Sequence, residues 1–237
     1  MPRLDVLLTK SGLIESRQRA QALILAGKVR VAGETERRPD RSVRDDAVVT
    51  VDEVPGYASR GALKLGPALD RLQVDPAGRV CADIGASTGG FTDVLLRRGA
   101  AKVFAIDVGR GLIHWRLRQD PRVVVIERVN ARDLDSFPEP VSLIVADVSF
   151  ISLEKVLPAL RRAAPTAEVV ALFKPQFEVG KADVGKGGIV RDPVVIEAAL
   201  QRFRSWCGAN GYQVAGDVAS ELAGAEGNRE FFFHLKP

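Results

Sequence analysis

Four charged residues stand at or beside the ends of apolar runs: Asp83 after Val80-Cys81-Ala82, Asp107 after Val103 to Ile106, Asp147 after Val141 to Ala146, and Lys174 after Val169 to Phe173. Charges left in a core are costly, so packing explains them poorly. In an open α/β sheet, ligands bind beyond the carboxyl ends of the strands, where such groups would meet. A carboxylate there can hold the hydroxyls of a ribose, and a lysine can orient a hydroxyl or take its proton.

The stretch from Asp83 to Phe91 is the centre of this pattern. It contains Gly85, Ala86, Ser87, Gly89 and Gly90 and joins a strand pattern to helical spacing that runs from Phe91 to Arg98 and stops at Gly99. Glycines let such a turn pass under a ligand, and the first free N–H groups of the helix face its negative end. Alone, the turn is equally a tight connection between strand and helix. Asp107, about twenty residues further on, completes the strand, turn, helix, strand and acid order of a nucleoside pocket. The turn lacks the G-x-G-x-x-G spacing of dinucleotide sites, which shifts the expectation from nicotinamide cofactors towards S-adenosylmethionine.

The elements that must position these groups follow from the rest of the chain. Five apolar strands, over Arg79–Ala82, Lys102–Asp107, Val123–Ile126, Val141–Asp147 and Glu168–Lys174, alternate with helical segments. This predicts an α/β, Rossmann-like, mostly parallel sheet covered on both faces. Trp115 is expected in the core. Arg60 and Lys64, four apart, are expected as a surface pair. Residues Gln176 to Asp192 form a glycine- and charge-rich connection of a length usually tied to function.

Residues 1–52 read as a separate, small α+β unit, 53–58 as a linker containing Pro55 and Gly56, and 59–237 as the larger domain. In the first unit Leu4, Leu7 and Leu8 make one helix ending near Gly12. Ser16 caps a second, from Arg17 to Ala26, stopped by Gly27. Strands over Lys28–Val31 and Val48–Val51 flank a polar, turn-rich middle. Residues 1–31 hold six basic side chains, Arg3, Lys10, Arg17, Arg19, Lys28 and Arg30, against Asp5 and Glu15, so this segment equals the whole formal excess of +4. Such a surface suits a phosphate backbone, and on charge alone it is equally read as a solvated face.

Composition narrows the class. With 27% charged and 46% apolar residues the 237-residue chain is of ordinary globular type. It has no run long enough to span a bilayer and no signal-peptide form at Met1-Pro2-Arg3-Leu4-Asp5, so a cytoplasmic protein is expected. Cys81 and Cys207 read as core residues, and His114 and His234 have no neighbouring ligand types, so no metal site is expected. Nothing fixes the oligomeric state; a monomer is the working expectation.

Two resemblances add to this. Arg3-Leu4-Asp5, Leu8, Gly12, Ser16-Arg17, Ala20, Leu23-Ile24, Gly27 and Val29-Arg30-Val31 resemble the small RNA-binding domain named after ribosomal small-subunit protein four. This implies RNA contacts from Arg17, Arg19, Lys28 and Arg30, with Arg3 and Lys10 auxiliary. Ala32 departs from the polar residue usual before Gly33. Ser59 to Leu65, Asp83 to Phe91, Asp147 to Ser152, Lys174 to Glu178 and Gly227 to Phe231 resemble the TlyA-type, or haemolysin A, ribosomal RNA methyltransferases.

Similarity to the wider FtsJ-like 2′-O-methyltransferases implies a catalytic tetrad at Lys64, Asp147, Lys174 and Glu230, and an antiparallel last strand. It also implies that Gly85 to Phe91, below Asp83, wrap the methionine part of S-adenosylmethionine, that Asp107 takes the ribose, and that Asn130 lies near the adenine. Asn130 stands where relatives often carry an acid. The substrate implied is a cytidine ribose in ribosomal RNA or ribosomal subunits. For methyl transfer to a hydroxyl, positioning should dominate. A free lysine keeps its proton to roughly pH 10; Lys64 would favour its release from Lys174 and Asp147 would oppose it, so base and orienting roles both stand. The rival classes are a non-catalytic RNA-binding assembly factor, a membrane-active protein and, more distantly, a dehydrogenase.

Overall fold

The computed structural model describes residues 1–11, 14, 16–44, 47–51, 57–224 and 227–237. The expected linker falls mostly on residues 52–56 and the end of the first helix on Gly12; both lie outside the described residues.

In the N-terminal unit, α1 (Leu4–Lys10) and α2 (Arg17–Leu25) pack on a three-stranded antiparallel sheet. The Ser16 hydroxyl caps α2 by accepting from Arg19 N at 3.2 Å. Strand β1 (Val29–Val31) lies between β2 (Glu34–Glu36) and β3 (Val49–Val51). The sequence pattern puts β2 in a polar turn, because Glu34 and Thr35 face solvent and Glu36 alone turns inward. Leu4, Leu8, Leu23, Ile24 and Val29 close the small core.

The larger domain begins with α3 (Ala62–Leu72) and then alternates: β4 (Val80–Ile84), α4 (Gly90–Arg97), β5 (Lys102–Asp107), α5 (Trp115–Arg118) and β6 (Val123–Glu127). It continues with β7 (Leu143–Ala146), α6 (Leu153–Ala163), β8 (Glu168–Phe173), α7 (Pro175–Glu178), α8 (Pro193–Ala209), β9 (Gln213–Ala219) and β10 (Phe231–Lys236). The sheet order is β6-β5-β4-β7-β8-β10-β9. All pairs from β6 to β8 are parallel, as the strand and helix alternation predicts, and β10 runs antiparallel to both neighbours, as the family resemblance implies. The order reverses at β4, which opens the binding crevice beside the turn that follows it.

Strand parity decides what faces what. Ala82, Ile84, Phe104, Ile106, Ile144, Val169, Ala171, Phe173, Phe231 and Phe233 pack into the core under α6 and α8. Their neighbours Cys81, Val103, Ala105, Leu143, Val145, Val170, Leu172 and Phe232 pack under α3 and α4. With a period of two, Asp83, Asp107, Asp147, Lys174 and Glu230 all fall on the second face. That is the face on which α3 carries Lys64.

Trp115 departs from expectation. Helix α5 is one turn long, Ile113 and Leu117 take the inward positions, and Trp115 is left 48% exposed. The short helix α7 directly after Lys174 has no counterpart in the sequence pattern; Pro175 at its first position pre-sets the turn. Cys81 and Cys207 are buried free thiols, each pushed up to about 12 by burial.

Candidate active site

The crevice is assembled from backbone first. Gly85 has φ +80°, and a Cβ there would lie 2.3 Å from the Asp147 carbonyl oxygen, so the turn after β4 presses directly on the end of β7. Ser87 also has a positive φ, 49°, a conformation disfavoured for a residue with a Cβ. Asp107 holds it: one carboxylate oxygen accepts from Ser87 N at 2.7 Å and the other from Gly109 N at 2.6 Å. Ala86, Ser87, Asp107, Leu112, Ile113 and Val125 line a cleft beside this lock. Asn130 is outside that lining, its side chain capping the next turn through Arg132 N at 3.1 Å. Glu127 lines the cleft instead, accepting from Gly111 N at 2.8 Å.

Asp83 sits below the turn, fully buried, with one oxygen accepting from both Thr92 N (2.8 Å) and Thr92 Oγ1 (2.7 Å). Burial raises its carboxyl to about 7; the Thr92 bonds oppose this, and the charges of Asp147 and Asp107 add to it. Its Oδ1 is buried and has no hydrogen-bond partner among the described residues.

On the other side of Gly85 four charged groups form two pairs. Lys174, 8% exposed, meets Asp147 Oδ1 and donates to Ser149 Oγ at 2.9 Å. Lys64 Nζ lies 2.6 Å from Glu230 Oε2, with the glutamate side chain 2% exposed. Lys64 is therefore turned into the domain and is not half of a surface pair with Arg60. Desolvation alone would raise the Asp147 carboxyl, but Lys174, Lys64 and a weaker contribution from Lys28 together hold it below the usual carboxylate range. Lys28 belongs to the N-terminal unit, so that unit adds to the positive field at Asp147.

Two features here have no signal in strand-end spacing. Ser149 is the third group on the Asp147–Lys174 pair, within the segment Asp147 to Ser152 that resembles the family as a block. Phe150 is 87% exposed at φ 63°, an outlier for a bulky residue, with its ring 5.2 Å from that of Phe177. Glu178 fastens this layer, accepting from Ser152 Oγ at 2.6 Å and from Leu153 N at 2.8 Å. The loop after β7 and the segment after Lys174 are thus tied into one layer.

This arrangement can be compared with known proteins. Residues 57–237 match the model for FtsJ-like methyltransferases and residues 2–49 that for the S4 domain. The chain belongs to the FtsJ-like methyltransferase family. The Mycobacterium tuberculosis 16S/23S rRNA (cytidine-2′-O)-methyltransferase TlyA is 49% identical to it over 239 residues, covering 99% of this chain and 89% of that protein. Hemolysin A of Brachyspira hyodysenteriae is 41% identical, covering 98% and 99% respectively. Among solved structures, a Streptococcus thermophilus protein provisionally named a hemolysin superposes with a TM-score of 0.75 at 41% identity, over 99% of this chain and 87% of that one. As for the membrane-active alternative, no described helix is long and apolar enough to cross a membrane.

The basic residues of the N-terminal unit divide into two sets. Arg3 and Arg17 are 45% and 53% exposed at the side chain and share the buried carboxylate of Asp5, at 3.1 and 3.0 Å. Lys10 is exposed, and Lys28 and Arg30 are half-buried. Arg19 departs from its expected place on an RNA-facing surface. It is 6% exposed, and its guanidinium donates to backbone carbonyls of the larger domain at Gly111, Leu112 and Ile113. The helix turn that exposes Arg17 directs the residue two positions on by about 200° and therefore inward.

Proposed function

We propose that this chain methylates the 2′-hydroxyl of a ribose, a cytidine ribose of ribosomal RNA, with S-adenosylmethionine as donor. The observation that carries this is the convergence of Lys64, Asp147, Lys174 and Glu230 on one face of the sheet beside the glycine turn. Two features fit the donor. The partnerless buried oxygen of Asp83 suits an ammonium group, and the cradle at Gly85, where a Cβ would collide with Asp147, leaves backbone alone against a ligand. Asp83 and Gly85 to Phe91 would hold its methionine part, Asp107 its ribose, and Asn130, with the cleft residue Glu127, would face its base end.

The donor supplies an electrophilic methyl group. The chain's own residues must then hold the acceptor hydroxyl in line and manage its proton. Lys174, fixed by Asp147 and Ser149, binds the hydroxyl oxygen, and Lys64, fixed by Glu230, holds the second side. With the donor bound, its methyl would pass to the oxygen so held, and the hydroxyl proton would be taken by a carboxylate of the two pairs, Asp147 or Glu230, and released to solvent. The exposed ring of Phe150 offers a face on which the target base can stack once out of its helix.

Arg3, Lys10, Arg17, Lys28 and Arg30, within residues 1–52, dock structured RNA, which assigns the work to the cytoplasm. The deciding measurement is Lys174→Ala: tritium transfer to unmodified ribosomal RNA should fall by about 10²–10⁴-fold while calorimetric donor affinity stays largely intact. Unchanged turnover would sink the assignment. Mapping 2′-O-methyl marks with and without the protein identifies the nucleotide.

A further inference from the structure

The helix that carries the proposed RNA contact Arg17 also carries Arg19, which points the other way. Three successive carbonyls of the segment after β5 converge on its Nη1: Gly111 O at 3.4 Å, and Leu112 O and Ile113 O in closer contact. The segment they belong to is a wall of the donor cleft, which Leu112 and Ile113 line together with Ala86, Ser87 and Asp107. Its inner side is fastened to the glycine turn. His114 N donates to Thr88 O at 3.0 Å, and the space a Cβ would need at Gly89 is filled by Leu117, at 2.3 Å, and Ile113, at 3.1 Å. Residues 111–113 are thus held from within by the turn and from outside by a cation of the N-terminal unit.

A guanidinium suits this task because it keeps its charge when buried and sets the two N–H donors of one nitrogen in a fixed plane, and the three carbonyls share that nitrogen, Nη1. Without it, converging carbonyls in an enclosed interface would lose their donor, which is costly for buried acceptors. We propose that Arg19 is a positioning residue that couples RNA docking to donor binding. RNA held on the exposed side of α2 favours the seated position of Arg19, which keeps the cleft wall in its binding form. Linkage then requires the donor to tighten RNA binding by the same factor. This rests on reading the cleft as the donor site and the N-terminal unit as the RNA-docking part.

The test is calorimetry of S-adenosylhomocysteine, with and without an unmodified ribosomal RNA transcript, on the wild-type chain, Arg19→Gln and Arg19→Lys. The wild type should bind several-fold more tightly with RNA present, in the 5- to 150-fold range usual for such coupling. Arg19→Gln should bind about fivefold more weakly alone, the low end of that range, and lose most of the RNA effect, with Arg19→Lys, which keeps a cation and its N–H donors, restoring part of it. The salt dependence of RNA binding should keep its slope in Arg19→Gln, since no phosphate contact is lost. A slope reduced by about one would make Arg19 an RNA contact and overturn the proposal. Equal affinity and equal coupling in wild type and variant would overturn it as well. A wild type that binds no donor at all would instead remove the reading of the cleft. Should the variants not fold, hydrogen exchange on the wild type decides: RNA should slow the amides of 109–114, and unchanged rates overturn the coupling.

Discussion

The two halves of the molecule bury carboxylates to opposite ends. In the N-terminal unit Asp5 and Glu36 are each saturated. Asp5 accepts from Arg3, Arg17 and Gln21, and Glu36 from Arg41 at 2.5 Å and from the amides of Arg37 and Arg38 at 2.9 Å. Burial would raise both, yet these donors win, leaving Asp5 far below and Glu36 at about 2. At the proposed catalytic end Asp83 has Thr92 alone among the described residues and rises to about 7, while Asp147 is held low by lysines that themselves face a crevice. A carboxylate with every lone pair answered by its own domain holds a fold together. One left with an open oxygen, or paired to a cation at a cleft mouth, is placed for a ligand.

The largest expected effect comes from exchanging charge for shape at the catalytic end. Asp147→Asn should lower methyl transfer by about 10²–10³-fold, because Lys174 loses the charge that orients it. Its unfolding midpoint in urea should change little. Asp5→Asn should do the reverse, leaving turnover on saturating RNA intact and lowering the stability of the N-terminal unit by about 1 kcal/mol, since its arginines are half exposed. A large activity loss from Asp5→Asn, or none from Asp147→Asn, breaks the division between the two regions.

Much of this division is legible in the amino-acid order alone. The end positions of the apolar strands hold Asp83, Asp107, Asp147 and Lys174, and the period of two in a strand places them on one face; Glu230 joins them only through the resemblance to the family. Sequence spacing cannot show that Lys64 crosses to Glu230, 166 positions later, because β10 inserts between β8 and β9 out of chain order. It equally misses the inward turn of Arg19. Charge composition counts a buried arginine and a solvated one alike, and the carbonyls that receive Arg19 carry no side-chain signature. Strand β2 escapes notice because an edge strand with two exposed polar residues has no apolar run to announce it. Trp115 is misplaced for a related reason. A four-residue helix has too few turns for periodicity to separate its inner from its outer face.

The second effect is a pH dependence whose sign differs between the regions. For Asp83 the folded pKa, about 7, lies above the unfolded value near 3.9, so between them the folded state holds the extra proton. Its contribution to stability is full below about pH 4 and is lost as pH rises through 7, at about 1 kcal/mol per pH unit where only the folded form is protonated. Asp83→Asn should flatten that decline in urea titrations from about pH 4.5 to 8. Saturating S-adenosylhomocysteine should flatten it too, because a bound ammonium favours the ionised carboxylate. A wild-type stability that does not fall across this window shows Asp83 to be answered as fully as Asp5.

The smallest effect is the mirror image at Glu36. Its folded pKa of about 2 lies below the unfolded value near 4.3, so its stabilisation is present above that unfolded value and is lost as the pH falls towards 2. Glu36→Gln should therefore cost on the order of 1 kcal/mol at neutral pH and less at about pH 3, where wild type and variant converge. Methyl donor affinity should stay the same throughout, because Glu36 meets no residue of the cleft. Fluorescence of Trp115 and Trp206, both in the larger domain, would not report this change, so the measurement is hydrogen exchange of the β1 and β2 amides across the pH series. If those amides in Glu36→Gln stay equally protected at neutral and acid pH relative to wild type, the arginines around Glu36 are held by something other than its charge. The N-terminal unit would then bury its carboxylate as the catalytic end does, with bonding capacity left over for a ligand.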